Sequence, residues 1–287
     1  SLRAYQMKRL PLFPAALLSL LLLPAACKKS NPPPAANQAA NPAVSPTPNI
    51  EASLAEFVKR DQEAIRQNPK DSANYYNLAN LYFTAGKFQE AAEQYQQAIR
   101  LDPKDAAAHY ELGQCYLRLE RYDEAFAALN ESLKLNPNNA NVYTEMGNAH
   151  VKRGRTQEAL AAFQKAVSLK PDHAEAYFSL GNLYTGTEQP QEAVKAFRQA
   201  ARHNPKDADA FFNLGNSHSR LKQFDEAITA YREAVKLRPD DGEARLRLAV
   251  LYLETGKRDA AATEYNTLKG THPQLAGMLD EKLKGQK

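Results

Sequence analysis

The segment AAAHYELGQCYLRLERYDEAFAALNESLKLNPNN, Ala106 to Asn139, is one of six 34-residue blocks that follow one another without insertion. The others are 72–105, 140–173, 174–207, 208–241 and 242–275. Numbered within a block, position 7 is Leu78, Leu112, Met146, Leu180, Leu214 and Leu248, and position 8 is Ala79, Gly113, Gly147, Gly181, Gly215 and Ala249. Position 20 is alanine six times (Ala91, Ala125, Ala159, Ala193, Ala227, Ala261), and position 32 is proline six times (Pro103, Pro137, Pro171, Pro205, Pro239, Pro273). Large residues at positions 4, 7, 11, 24 and 28 fall on one face of each of two helices at a spacing of 3.6. Small residues at 8 and 20 let the two backbones approach, and proline at 32 closes the second helix before the next block. One hairpin buries too little to be stable alone, so the blocks are expected to stack.

These residues resemble the tetratricopeptide repeat, a helix-turn-helix unit, over 72–275. The resemblance implies an all-α fold in which six repeats form a right-handed superhelix. The first helix of each repeat would line a concave groove for a protein or peptide partner. Helices at 51–71 and 276–287 are expected to cover the two ends. At the first, Ser53-Leu54-Ala55-Glu56 fits a capping box, and Leu54, Phe57, Val58 and Ile65 make an apolar stripe. At the second, Leu275, Met278, Leu279 and Leu283 line one face against Asp280, Glu281, Lys282 and Lys284. In the fourth repeat Gly186 is expected to fray the first helix by about 1 kcal/mol, while Pro190 suits the start of the second.

The N-terminus has a different character. Met7 reads as the start, Lys8 and Arg9 as a charged head, and Leu10 to Leu23 as an apolar run closed by Ala25 and Ala26. Pro24-Ala25-Ala26-Cys27 resembles the lipobox of bacterial lipoprotein signals, with proline where leucine is usual. The resemblance implies a signal peptide over 1–26 and lipidation of Cys27, which would attach the chain to a membrane. Residues 27–50, rich in proline, alanine and asparagine, cannot bury enough apolar area to order and read as a tether. At about 3.1 Å per residue such a tether reaches roughly 70 Å.

Composition narrows the function. Of the 37 Lys and Arg, five lie in residues 1–50, which hold no acid, so the remaining 32 face 33 Asp and Glu. The repeats thus lack the basic excess that binds phosphate backbones, and nucleic acid is not an expected partner. No HExxH, Gly-rich phosphate loop or GxSxG occurs, and the two cysteines, Cys27 and Cys115, make no paired-thiol metal site. Neither an enzyme, a cofactor, a metal site nor a small-molecule substrate is expected. Cys115 at position 10, where leucine stands in other repeats, reads as a buried thiol, and His150 and His218 at position 11 read as packing residues.

The candidate groove is read from positions 5 and 9: Tyr76 and Asn80, Tyr110 and Gln114, Thr144 and Asn148, Phe178 and Asn182, Phe212 and Asn216. A carboxamide donates and accepts at once, so a ladder of them flanked by rings suits an extended backbone; asparagine serving only to pack neighbouring helices suits the pattern as well. Arg118, Lys152 and Arg220 at position 13 would make a basic edge, and Glu175, Asp209 and Glu243 at position 2 an acidic one. The carboxylate-clamp subgroup needs Lys or Arg at position 5 of the first and third repeats, where Tyr76 and Thr144 stand. The signal, the tether and the repeats together point to a lipid-anchored, non-enzymatic scaffold of a bacterial cell envelope. The expected location is the outer membrane facing the periplasm, as for the pilotins that help secretins assemble. A regulatory subunit of a cell-wall enzyme and a non-lipidated periplasmic adaptor are the alternatives.

Overall fold

The computed structural model describes residues 48–284 of the chain. The signal segment, Cys27 and residues 27–47 of the tether lie outside the described residues. Among those described there are fourteen α-helices and no strand. They fall into two compact units, 48–183 and 184–284, divided within one helix.

The first unit opens with α1 (Pro48–Gln67) and continues with α2 (Ser72–Thr84), α3 (Phe88–Leu101), α4 (Ala106–Arg118), α5 (Tyr122–Leu135), α6 (Ala140–Lys152), α7 (Thr156–Leu169) and the first ten residues of α8 (Ala174–Gly186). The second holds α9 (Pro190–His203), α10 (Ala208–Arg220), α11 (Phe224–Leu237), α12 (Gly242–Glu254), α13 (Arg258–Thr271) and α14 (Pro273–Lys284). Each of α2–α3, α4–α5, α6–α7, α10–α11 and α12–α13 is a hairpin of one repeat.

Local chemistry sets the helix ends. Block position 34 supplies the N-cap of the next first helix: Asp105 Oδ1 accepts from the amides of Ala107 and Ala108 at 2.9 and 3.1 Å, and Asp71, Asn139, Asp207 and Asp241 act alike. Each first helix closes in a Schellman turn, in which the amide at position 16 donates to the carbonyl at position 11, as from Lys87 to Tyr82. Position 15 therefore carries positive φ in all six repeats: Gly86, Gly154 and Gly256 without strain, but Glu120, Glu188 and Lys222 at φ 58–59°.

Within a hairpin the two helices meet where position 8 faces position 24. A Cβ built on Gly113 would lie 2.6 Å from Leu129 Cδ2, one on Gly147 2.5 Å from Phe163 Cε1, and one on Gly215 2.8 Å from the Tyr231 ring. Ala91, Ala125, Ala159 and Ala227 at position 20 are wholly buried. The core follows these seams, as in the cluster of Ala79, Tyr95, Leu112, Cys115 and Ala125, and that of Phe212, Ile228, Tyr231, Leu248 and Leu251.

Several expectations are corrected. Helix α1 begins at Pro48, with proline at a helix start where its missing amide hydrogen costs nothing, so Pro48 to Ile50 are helical and Ser53 lies inside the helix instead of capping it. Phe57 of the expected stripe is exposed, its ring covered on one side by the Arg60 guanidinium. Helix α8 runs through Gly186 with the length of the other first helices, because the following Schellman turn holds its end. In α14, which starts at Pro273, Ala276 and Leu279 are buried while Met278 points outward.

Candidate groove face

At 100° per residue, positions 2, 5, 6 and 9 of a first helix share one side and positions 4, 7 and 11 the opposite side. The first set makes the candidate groove face; the second packs toward the second helices. The structure sorts the sequence-derived ladder into three groups.

In the first and fifth repeats the amide is already engaged. The Tyr95 hydroxyl donates to Asn80 Oδ1, and the Tyr231 hydroxyl donates to Asn216 Oδ1 at 2.6 Å. Tyr95 and Tyr231 stand at position 24, where the second, third and fourth repeats carry Leu129, Phe163 and Phe197 with no hydroxyl. The sixth repeat has Val250 at position 9, and its Tyr265 hydroxyl turns to Asp280 of α14. Each of these three phenols finds an acceptor, the buried Tyr95 and Tyr231 as well as the partly accessible Tyr265.

Thr144 and Phe212 form a second group, and here the expectation is corrected: both are buried and offer no groove surface. The Thr144 hydroxyl bonds the Ala140 carbonyl and approaches His173 Nε2 at 3.2 Å, while Phe212 packs on the Tyr231 ring at 5.7 Å between centroids. Tyr76 likewise lies edge-on against Tyr95, though partly accessible.

The third group keeps accessible polar atoms. Gln114 on α4 and Asn182 on α8 are half-buried and make no hydrogen bond among the described residues. Between them Asn148 on α6 accepts from the Ser179 hydroxyl at 3.2 Å and hydrogen-bonds Glu145. Tyr110 and Phe178 are half-buried alongside.

Position 6 supplies what the sequence reading missed. Glu111 on α4 and Glu145 on α6 join Glu175 of α8 around Tyr110, whose hydroxyl pKa is raised by burial and then by these three carboxylates. Burial lifts Glu111 and Glu175 above the ordinary carboxylate range. Glu145 is pushed up to about 7, first by burial and then by the charge of Glu175, with Glu111 adding and Arg118 and Asn148 opposing. The Arg118 guanidinium also lies 5.9 and 5.5 Å from the ring centroids of Phe83 and Phe88.

The expected acidic edge survives only at Glu175. Asp209 takes both terminal nitrogens of Arg238, at 2.9 and 3.2 Å, and Glu243 pairs with Arg247 at 3.3 Å. Position 11 and Cys115 are packing residues. His218 is buried with Nδ1 2.7 Å from Gln223 Oε1, and His150 stacks on Phe126. Cys115 is wholly buried, with a thiol pKa pushed up to about 12. No group of three or more metal-ligating side chains occurs among the described residues, and no described helix is long and apolar enough to cross a membrane.

Comparison with known proteins agrees with this geometry. Tetratricopeptide repeat families match residues 76–140, 212–276, 128–161 and 174–207, and a TPR repeat family matches 147–187. No curated protein matches the chain. Among solved structures, YrrB, described as a TPR protein with an unusual peptide-binding site, is 28% identical with a TM-score of 0.50, over 65% of this chain and 96% of that one. PilF of Pseudomonas aeruginosa is 20% identical with a TM-score of 0.62, over 74% and 97% of the two chains. The type IV pilus biogenesis factor PilW is 19% identical with a TM-score of 0.59, over 72% and 97%. The last two share the fold alone.

Proposed function

Since the chain belongs to the tetratricopeptide repeat family, whose fold serves as a protein–protein interaction scaffold, we propose that it is a lipid-anchored, non-enzymatic scaffold of a bacterial envelope. It holds an extended protein segment on the groove face of residues 48–183. The observation that carries this reading is the pair of unengaged carboxamides, Gln114 on α4 and Asn182 on α8, beside the Asn148 amide of α6. A peptide backbone presents alternating donors and acceptors, and a carboxamide without an internal partner can take one of each. The peptide-binding site described for YrrB supports a peptide as the ligand class. The anchor, the envelope location and a pilotin-like role in complex assembly rest on the sequence around Cys27.

Cross-linking with mass spectrometry on native envelopes, using wild type and the Gln114→Ala/Asn182→Ala double variant, tests the groove. A partner captured by wild type and lost by the variant, with the helical melt unchanged, is expected; equal capture by both would remove the groove face from the account. Labelling cells with a fatty-acid analogue tests the anchor: label on wild type and none on Cys27→Ser is expected, and equal label on both would overturn it.

A further inference from the structure

Five of the six first helices are capped by Asp71, Asp105, Asn139, Asp207 or Asp241, and the sixth, α8, has His173 at that place. A second exchange accompanies this one. Position 5 of the third repeat is Thr144, where the other repeats carry Tyr76, Tyr110, Phe178, Phe212 and Leu246. Positions 5 and 34 of a repeat are neighbours in space. In the first repeat the Tyr76 hydroxyl pKa is raised by burial and then by the charges of Glu111 and Asp105. In the third, the Thr144 hydroxyl and His173 Nε2 lie 3.2 Å apart, and the two residues are 1% and 7% exposed. The small side chain at one position is matched by a ring at the other.

The hydrogen bonds assign the protons. The Thr144 hydroxyl donates to the Ala140 carbonyl at 3.1 Å, so its oxygen accepts from His173 Nε2–H, and Nδ1 is left to take a second proton. That proton would place a cation in a buried site and at the positive end of the α8 dipole, and both disfavour it. We propose that the Thr144–His173 pair is an acid-released fastening: it positions the start of α8 against α6 while the ring is neutral and lets go when the ring is protonated. The surrounding charges agree. Burial and then Lys170 lower the His173 pKa, with Asp172 opposing, and all three residues lie in the connection before α8. Glu145, next to Thr144 on α6, is itself largely protonated below about 7 and supplies little counter-charge, and burial also raises Glu175 in the first turn of α8. Across the same seam the Ser179 hydroxyl of α8 donates to Asn148 of α6 at 3.2 Å, and Asn182 follows three residues along α8. Loosening the start of α8 shifts Asn182 relative to Asn148. For a bound segment this means release in acid, which holds only if that face takes a peptide; the fastening itself is measured on the free chain.

Hydrogen exchange of the full chain, read by mass spectrometry at about pH 6.5 and about pH 5 and corrected for the intrinsic pH dependence of amide exchange, tests the fastening. Glu145 is mostly protonated at both values, so its own titration lies largely outside the comparison. Relative to α4, the amides of residues 174–183 are expected to lose protection on the order of three- to tenfold at the lower pH. His173→Gln, neutral at both values, is expected to abolish that step even where it lowers protection throughout. Thr144→Tyr/His173→Asp rebuilds the pair that the first repeat carries as Tyr76 and Asp105, and is expected to abolish the step with protection kept. The absence of a step in the wild-type chain overturns the proposal, and so does a step of equal size in either variant.

Discussion

Tyr95 and Asn80 lie fifteen residues apart, and the tyrosine hydroxyl, at the buried crossing of α2 and α3, donates to the Asn80 side-chain oxygen. The same pairing recurs between Tyr231 and Asn216. The position-9 amide thus has two lives: where position 24 is tyrosine it completes the hairpin, and where position 24 is leucine or phenylalanine it is left for other partners.

Tyr95→Phe is expected to lower stability by about 1 kcal/mol, since a neutral hydrogen bond at a buried site is removed. A double-mutant cycle with Asn80→Ala should show a coupling of about 0.5–1.5 kcal/mol. Tyr95 paired with Asn80 in the cycle, read from urea melts, isolates the bond from the lost volume; zero coupling would mean the two groups act separately.

Glycine at position 8 is required by the facing ring. Gly147→Ala places a Cβ 2.5 Å from Phe163 Cε1, and a loss of about 1–3 kcal/mol is expected. Gly270→Ala, in α13 with nothing within 4 Å of the added carbon, should instead gain about 0.5–1 kcal/mol from helix propensity. Thermal melts of the two variants should move in opposite directions.

The Schellman turns give a second pair of opposite signs. Glu120→Gly and Lys222→Gly relieve a side chain at φ 58–59° and are expected to stabilise by about 0.5–1 kcal/mol. Gly154→Ala, at φ +70°, should cost about 1 kcal/mol. Circular-dichroism melts of single variants check both.

The pH dependence follows from Glu145. Its folded pKa of about 7 lies above the unfolded carboxylate value near 4.3, so the folded state binds the extra proton. Its contribution is fully present below about 4.3 and is lost as pH rises through about 7. His173 and His150 act in the other sense, because burial lowers both and their contribution is lost as pH falls below the ordinary histidine range. The difference between wild type and Glu145→Gln isolates the glutamate. Urea midpoints should show the variant gaining on wild type as pH rises from about 5 to about 8. A constant difference would remove Glu145 from the titration.

What could be read from sequence was periodic. The register of positions 7, 8, 20 and 32 located the hairpins, because a helix buries one stripe and repeats it every 34 residues. The capping role of position 34 and the left-handed residue at position 15 were also present in the sequence, but Glu120, Glu188 and Lys222 conceal the turn that Gly86, Gly154 and Gly256 announce. Pro48 and Gly186 misled in the opposite direction. Both residues stand at helix termini, Pro48 as the first residue of α1 and Gly186 as the last of α8, where a missing amide hydrogen or a flexible backbone costs the helix little.

The groove face was legible as a set of positions and illegible as a set of functions. Sequence alone determined that Asn80, Gln114, Asn148, Asn182 and Asn216 share one helix side, since that follows from 3.6 residues per turn. Only tertiary structure decided which amides a tyrosine had taken, that Thr144 and Phe212 are buried, and that Glu111, Glu145 and Glu175 converge on Tyr110. Helical periodicity is a property of one segment, readable from spacing. Hydrogen-bond partnership and electrostatic coupling depend on distances between segments, which exist only once the helices of each unit have packed.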